Sequence, residues 1–268
     1  MQSSLGSKPR LRRLSVLLLV GLLAPVLGAC ATPPTDPQAR ADYDARNDPA
    51  EPTNRDVFAF DQFVDKNAVK PVAEAYRDDV PVPVQNRLHD FLLNLHAPVI
   101  EINDILQGNF SRGWITLERF VINTTVGGLG IFDVASDWNL PYHDADYGET
   151  LAVWGIGEGP YVVLPIFGPS NVRDAVGTGL GFVLDPLAWV GGTNAMYANW
   201  SRAGANGVDT RADTLDATDA LEKNSLDFYA AARSAYRQHR DAMIADAIGK
   251  AGVSPASVTL YHPEMEHP

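Results

Sequence analysis

The sequence predicts an all-α protein with one irregular apolar region near its middle. Apolar residues recur at steps of three and four over several segments, which is the spacing of one face of a helix. Only one segment, Tyr161–Leu164, stands out as having the residue pattern of a β-strand. Between Asp146 and Asp174, glycines and prolines interrupt an apolar run, which disfavours a long helix or a central strand.

Composition narrows the class of protein. The chain has 268 residues with 46% apolar content, enough for a sizeable core. Its net charge is −12, and residues 1–29 contain four basic and no acidic residues, so their removal would leave −16. Bulk charge of this sign disfavours nucleic acid and anionic surfaces as partners. A single cysteine excludes an internal disulfide and thiolate metal clusters.

That cysteine follows a targeting segment. Residues 1–13 are basic, and Leu14–Leu27 is an apolar run shorter than the roughly 20 residues of a membrane span. Residues 1–29 therefore read as a signal peptide. The end of this segment, LGAC, resembles a bacterial lipobox, which implies that Cys30 carries the lipid anchor. Ala31 in place of aspartate implies sorting to the outer membrane. The alternative is ordinary secretion with an unmodified cysteine.

Three regions are predicted after the signal peptide. Residues 30–47 form the lipidated N-terminus and a flexible tether, residues 48–250 a helical domain, and residues 251–268 a disordered tail. The domain opens with an aromatic-rich helix whose phenylalanines cover more than one face. This width favours contact with lipid over packing on one side only, although a core-facing helix is the alternative. The candidate lipid-facing residues are Phe58, Phe60 and Phe63.

Helices continue through most of the domain. One is predicted over Pro83–Leu95, ending before Pro98, with a second over Ile100–Leu106. Another begins near Ser111. The apolar segment Val172–Val190 contains charges and a proline, so we predict that it lies along a membrane interface or inside the protein rather than across a bilayer. Further helices are predicted over residues 195–206 and 214–238.

No catalytic or cofactor site is predicted. The loop His143–Asp146 could supply metal ligands but lacks a second cluster, and we interpret it as a solvated loop. The glycine-rich runs Gly155–Gly159 and Gly177–Gly181 lack the strand context and the lysine of nucleotide-binding loops. A GxSxG elbow is absent from the sequence. The protein is therefore not expected to be an enzyme, and no metal is expected.

Several motifs stand in an order that resembles a known family. They are Glu51, Asn54, Arg55, Phe58 and Phe60 in the opening helix, Asn94–Gly108, Arg119–Thr125, and the run GETLAVWGIGEGPYVVLPIFGPSNVRD. Together they are similar to the MlaA/VacJ family of outer-membrane lipoproteins. Asp61 departs from the family, which often has asparagine at that place.

The resemblance implies a fold and a function. It implies a ring of helices around an amphipathic channel, held in the inner leaflet of the outer membrane. It also implies removal of mislocalised phospholipids from the outer leaflet, transfer to a soluble periplasmic carrier of the MlaC kind, and association with trimeric porins. Two alternatives stay open, a lipid-anchored envelope hydrolase and a passive porin-associated scaffold.

A channel for lipids needs a gate, and glycine loops absorb backbone change at low steric cost. The candidate gate residues are Gly127, Gly128, Gly130, Gly155, Gly157 and Gly159; tight turns or close packing are the alternative. Large exposed side chains anchor protein interfaces. The candidate porin contacts on this ground are Phe182, Leu187 and Trp189, with lipid contact as the alternative.

Overall fold

The computed structural model describes residues 46–189 and 193–249, together with residues 36, 38 and 42. Within these residues the structure is almost entirely helical, which confirms the all-α prediction, with one small sheet. The helices are α1 (Glu51–Val64), α2 (Lys70–Asp79), α3 (Val82–Leu106), α4 (Phe110–Thr125), α5 (Val134–Asp137), α6 (Tyr147–Val153), α7 (Val172–Leu184), α8 (Thr193–Asp213), α9 (Leu215–Asn224) and α10 (Phe228–Ala247). A π-helical turn, Asp65–Val69, joins α1 to α2. Cys30, most of the tether and the tail 251–268 lie outside the described residues.

The predicted break at Pro98 is wrong. Helix α3 continues through this proline from Val82 to Leu106. An interior proline removes one helical hydrogen bond and costs about 3 kcal/mol. Its neighbours Ala97, Val99 and Ile100 are all buried. Their packing against the rest of the molecule therefore holds both halves of the helix together, which local sequence could not indicate.

The sheet is a β-hairpin within the segment Asp146–Asp174, which glycines and prolines interrupt. Strands β1 (Tyr161–Leu164) and β2 (Gly168–Asn171) pair antiparallel. In the turn between them, Ile166 has φ 72°, which is strained for a β-branched residue. The Ile166 N–H donates to Asp61 Oδ1 at 2.7 Å. A carboxylate of α1 thus holds the hairpin tip in this conformation.

The contacts between elements close into a circuit. Helix α1 leads through the π-turn to α2, α2 packs on α8, and α8 on α3. Helix α3 contacts α6, α6 contacts α7, α7 contacts the hairpin, and the hairpin returns to α1. Helix α10 lies on α6 and β2. This arrangement agrees with the ring-like fold that was predicted.

The interior is unusually polar for a helical protein. Among the described residues, seventeen polar or charged residues are buried, against sixteen apolar ones. Buried polar groups need partners, and here they fasten distant parts of the chain. Asp48 accepts hydrogen bonds from Arg233 Nη1 at 2.6 Å, from Tyr229 and from Asn54. The segment before α1 is thereby joined to the last helix.

Phe58 belongs to the core, so the expectation that it faces lipid is wrong. It is 8% exposed and packs with Tyr161, Val163 and Tyr229. Its ring centroid lies 5.5 Å from that of Tyr229 in an edge-to-face arrangement. The reason is that this face of α1 is covered by β1 and α10. Phe60 and Phe63 are 49% and 66% exposed, and their contact with lipid stays a prediction.

None of the described helices combines the length and the apolar character needed to cross a bilayer.

Candidate functional site

A cavity of about 300 Å³ lies where α3, α6, α7, the hairpin and α10 meet. Its apolar lining comes from Val99, Tyr147, Leu164, Phe167 and Pro169. Its polar lining comes from His96, Asp146, Ser170, Asp174, Thr178, Tyr236 and Arg240. A cavity lined by both apolar and polar side chains suits a molecule that has both characters.

The polar lining contains an ion-pair network centred on Arg240. Its Nη1 and Nη2 each lie 2.6 Å from a different oxygen of Asp146, and its Nε lies 2.8 Å from Asp174 Oδ2. Burial opposes ionisation of Asp146, but the hydrogen bonds and charge of Arg240 outweigh it and lower the pKa of this carboxyl. Burial and the hydrogen bond to Asp174 raise the pKa of Tyr236, which stays a hydroxyl donor. Arg173 Nε also lies 2.9 Å from Asp174 Oδ1, so two arginines compensate the charges of the two carboxylates in this network.

The carboxylates of this network are set at the starts of two helices. Asp146 is the N-cap of α6, where its Oδ1 accepts from the Glu149 N–H at 2.8 Å. Asn171 is the N-cap of α7 and accepts from the Asp174 N–H at 2.8 Å. Side-chain oxygens at this position satisfy otherwise unpaired helix donors. The sequence analysis did not indicate either cap, although each is followed three positions later by an acidic residue, Glu149 or Asp174, and this spacing could have indicated them. No pattern in the sequence indicated Arg240.

Helices α6 and α7 approach closely because both lack side chains at the contact. A Cβ atom on Gly177 would lie 2.3 Å from the backbone nitrogen of Gly148. No side chain fits that space. Glycine at these two positions therefore brings the two capped helix starts together at the cavity.

The outer surface is strongly apolar. All five tryptophans of the chain are more than half exposed. Three of them donate their indole N–H within the protein, Trp114 to Glu118, Trp154 to the Leu106 carbonyl and Trp189 to the Val183 carbonyl. An exposed ring whose polar atom is already satisfied suits a medium poor in water.

Helix α4 carries a continuous part of this apolar surface. Phe110, Trp114, Leu117 and Val121 recur at steps of four and three and are 39% to 71% exposed. A second part lies on α7 and the hairpin tip, with Val172, Val176, Phe182, Val183, Ile166 and Phe167. Surfaces of this kind mark contact with a membrane or another protein.

Five of the six candidate gate glycines have a local structural reason. A Cβ on Gly127 would lie 2.2 Å from the Phe132 carbonyl oxygen. The other four have positive φ: Gly128, Gly130, Gly155 and Gly159. Gly157 has neither feature, since a Cβ there would meet no atom within 4 Å. The gate stays a prediction, and Gly157 is the position at which it is best examined.

The candidate porin contacts lie at one edge of the apolar surface. Phe182 and Trp189 are 60% and 66% exposed, whereas Leu187 is half-buried. The Phe182 ring packs edge-on against Phe167, 5.6 Å between centroids, so it stands beside the cavity. Contact with a porin stays a prediction.

The loop His143–Asp146 is not the solvated loop that was expected. His143 Nε2 lies 2.8 Å from the fully buried Asp104 Oδ2 and 3.3 Å from Thr116 Oγ1. A nucleophile–histidine–carboxylate triad uses both ring nitrogens, one toward each partner. Here one nitrogen faces both, so these residues do not form that arrangement.

Fold and site together define a helical protein with an apolar outer surface and an amphipathic cavity. The sequence profile described as MlaA lipoprotein matches residues 46–243, and the chain belongs to this family.

Relatives and a solved structure agree with this assignment. Proteins described as intermembrane phospholipid transport system lipoprotein MlaA from Shigella flexneri and Escherichia coli K12 are each 36% identical over 233 residues, covering 85% of this chain and 87% of the relative. The protein of that description from Haemophilus influenzae is 32% identical, covering 72% of this chain and 78% of its own. A solved chain from work on the structural basis for maintenance of bacterial outer membrane lipid asymmetry is 36% identical, with a TM-score of 0.64, over 74% of this chain and 98% of that one.

Proposed function

We propose that this protein is an outer-membrane lipoprotein that removes phospholipids mislocalised in the outer leaflet and passes them to a periplasmic carrier of the MlaC kind, and so maintains lipid asymmetry. Membership of the MlaA lipoprotein family supports this function, as do the names of the relatives. The observation that carries it is the amphipathic cavity beside an exposed apolar surface. Phe167 belongs to both, because it lines the cavity and is 61% exposed.

The apolar and the polar lining residues of the cavity contact different parts of the lipid. Acyl chains lie against Leu164, Phe167 and Pro169, and the headgroup lies toward the network of Arg240. Because Arg240 and Arg173 pair with Asp146 and Asp174, this network gives the headgroup hydrogen-bonding partners without holding it by a strong ion pair. Such a site suits passage better than storage.

A matched pair of glycine substitutions in α7 tests the route. Gly181 lines the cavity, and a Cβ there would stand 3.9 Å from the Tyr147 ring. Gly179 lies two residues away and would meet no atom within 4 Å. Gly181→Leu is expected to fill the cavity and raise outer-leaflet phospholipid to the level of a deletion strain. Gly179→Leu, with the same gain in helix propensity, is expected to leave it unchanged.

Labelled phospholipid distinguishes the proposal from its two alternatives. Intact transfer from liposomes through the mature protein to a carrier supports transport. Chemical cleavage of the lipid would support the hydrolase, and no interaction with lipid would support the scaffold. Equal transfer by the Gly181→Leu and Gly179→Leu proteins would show that lipid does not take this cavity.

The anchor and the porin contact are separate parts of the proposal. Cys30→Ala is expected to leave an unlipidated precursor, because the chain has no other thiol; palmitate labelling that persists would contradict this. A photocrosslinker in place of Trp189 is expected to capture a trimeric porin. Capture of lipid alone would refute the porin contact at Phe182, Leu187 and Trp189.

A further inference from the structure

Three metal-ligating side chains meet between α3 and α8, away from the cavity. His89 Nδ1 lies 2.8 Å from Asp209 Oδ2 and 3.7 Å from Asp213 Oδ2. One ligand atom from each residue lies within 4.8 Å of the others. We propose that His89, Asp209 and Asp213 bind a divalent transition-metal ion, of which Zn²⁺ fits the donor set best.

The distances fit a tetrahedral ion. A zinc ion about 2.1 Å from nitrogen and oxygen ligands holds tetrahedral ligands about 3.4 Å apart. The separations of 2.8 and 3.7 Å from the histidine nitrogen lie on either side of that value. Small rotations of the two carboxylates therefore place all three atoms around one ion. The fourth position is left to water.

Two neighbouring carboxylates give the site its charge. Asp209 and Asp213 are four residues apart on α8, so they project from the same face. Asp209 is 4% exposed. Two adjacent carboxylates attract a divalent cation, and carboxylate oxygens together with an imidazole nitrogen are ligands that Zn²⁺ accepts.

A second layer of contacts orients the ligands. The Tyr76 hydroxyl of α2 donates to Asp209 Oδ1 at 3.1 Å, which leaves Oδ2 directed at His89. Outer hydrogen bonds of this kind fix metal ligands and raise affinity. The side chains of His89 and Asp213 are 34% and 24% exposed, so an ion can reach the site. A bound ion would join α2, α3 and α8 at one point.

Metal titration of the mature lipoprotein in detergent tests the proposal. The wild-type protein is expected to bind one Zn²⁺ by calorimetry and to give a four-coordinate Co²⁺ absorption band. His89→Gln and Asp213→Asn are expected to weaken Zn²⁺ binding by about 100-fold, and Tyr76→Phe by about tenfold. Every variant keeps His262 and His267 near the C-terminus. Weaker Zn²⁺ binding by His89→Gln therefore cannot come from a change at those two histidines.

Matched controls remove a histidine or an aspartate elsewhere. His239→Gln and Asp216→Asn change exposed residues and are expected to bind Zn²⁺ as the wild type does. Helical circular dichroism checks that each variant is folded. If a variant does not fold, the Co²⁺ absorption band of the wild-type protein tests whether the site binds metal. Absence of that band, or equal Zn²⁺ affinity in His89→Gln and His239→Gln, would leave only a histidine–aspartate ion pair. Neither result would touch the lipid-transport proposal.

Discussion

At the scale of single residues, two carboxyl groups of α6 show how surroundings decide protonation. Asp146 and Glu149 are three positions apart. Asp146 has its pKa lowered by Arg240, whereas burial raises the pKa of Glu149 to about 8. Glu149 is 1% exposed, and Gln107 Nε2 donates to it at 3.3 Å. At neutral pH this side chain is therefore mainly a neutral acid.

Glu149 should make stability depend on pH. Its ordinary pKa is 4.5, so between about pH 4.5 and pH 8 the folded protein holds a proton that the unfolded chain has lost. The free energy of unfolding should fall across this window by up to about 1.4 kcal/mol per pH unit. Glu149→Gln should remove that contribution. The stability of the variant should therefore increase relative to that of the wild type as pH rises. Thermal unfolding of both proteins at pH 5, 6.5 and 8 measures this difference in stability. The same dependence of stability on pH in the two proteins would contradict the prediction.

The opening helix allows a second test at this scale. Phe58→Ala is expected to cost about 3–5 kcal/mol because Phe58 is buried against Tyr161 and Tyr229. Phe60→Ala is expected to change stability by no more than about 0.5 kcal/mol, since Phe60 is half exposed. Denaturation in detergent compares them. Phe60→Asp should then keep the fold but disturb lipid asymmetry; a variant that simply unfolds would place Phe60 in the core.

At the scale of elements, the glycine loops are mostly explained by geometry. Positive φ or close packing accounts for Gly127, Gly128, Gly130, Gly155 and Gly159. Those constraints are present in this single conformation and do not need a gate. They do not account for Gly157, which lies in the loop between α6 and β1.

The gate hypothesis therefore rests on Gly157. Proline there fixes φ and stiffens the loop, whereas alanine adds only a methyl group in open space. Gly157→Pro is expected to disturb outer-leaflet phospholipid, recessively if the gate is held shut and dominantly if it is held open. Gly157→Ala is the control and should behave as the wild type. Measurements in single-copy and merodiploid strains separate these outcomes; normal asymmetry for a stable proline variant would leave the turn interpretation.

At the scale of the whole molecule, buried polar pairs close the fold. Asp48 and Arg233 are 185 residues apart, yet Arg233 Nη1 lies 2.6 Å from Asp48 Oδ2. Arg240 joins α10 to the starts of α6 and α7 in the same way. A polar interior with an apolar exterior suits a protein whose outer surface lies in lipid, because apolar burial inside is then smaller and directed bonds hold the elements together.

Breaking the Asp48 pair should destabilise the entire domain. Asp48→Asn removes the carboxylate 2.6 Å from the buried Arg233 and leaves it only the more distant Glu51, 4.0 Å away; breaking a buried pair typically costs about 3–5 kcal/mol. Asp56→Asn changes an exposed aspartate of the same region and should cost little. Loss of helical signal on heating compares the two. Equal melting temperatures would mean that the ends of the domain are held together by apolar packing alone.

Sequence by itself determined the features that local pattern encodes. Helical periodicity located most of α3 and α4, and glycine and proline marked the region that contains the hairpin. The helix predicted over residues 214–238 is in fact two, because α9 ends at Asn224 and α10 begins at Phe228. The motifs around Asn54, Arg119 and the glycine-rich run were sufficient to indicate the family, which the profile match to residues 46–243 confirms. These signals are short-range, since a helix face or a turn depends on residues a few positions apart.

Tertiary structure alone decided which faces are covered and which side chains meet. Phe58 and Phe60 look alike in sequence, but only Phe58 lies under β1 and α10. Pro98 is held in a continuous helix by the burial of its neighbours. His89 and Asp209 are 120 residues apart, and Arg240 and Asp146 are 94 apart. No spacing rule reaches that far, because such pairs form only when the packing of several helices brings their ends to one point.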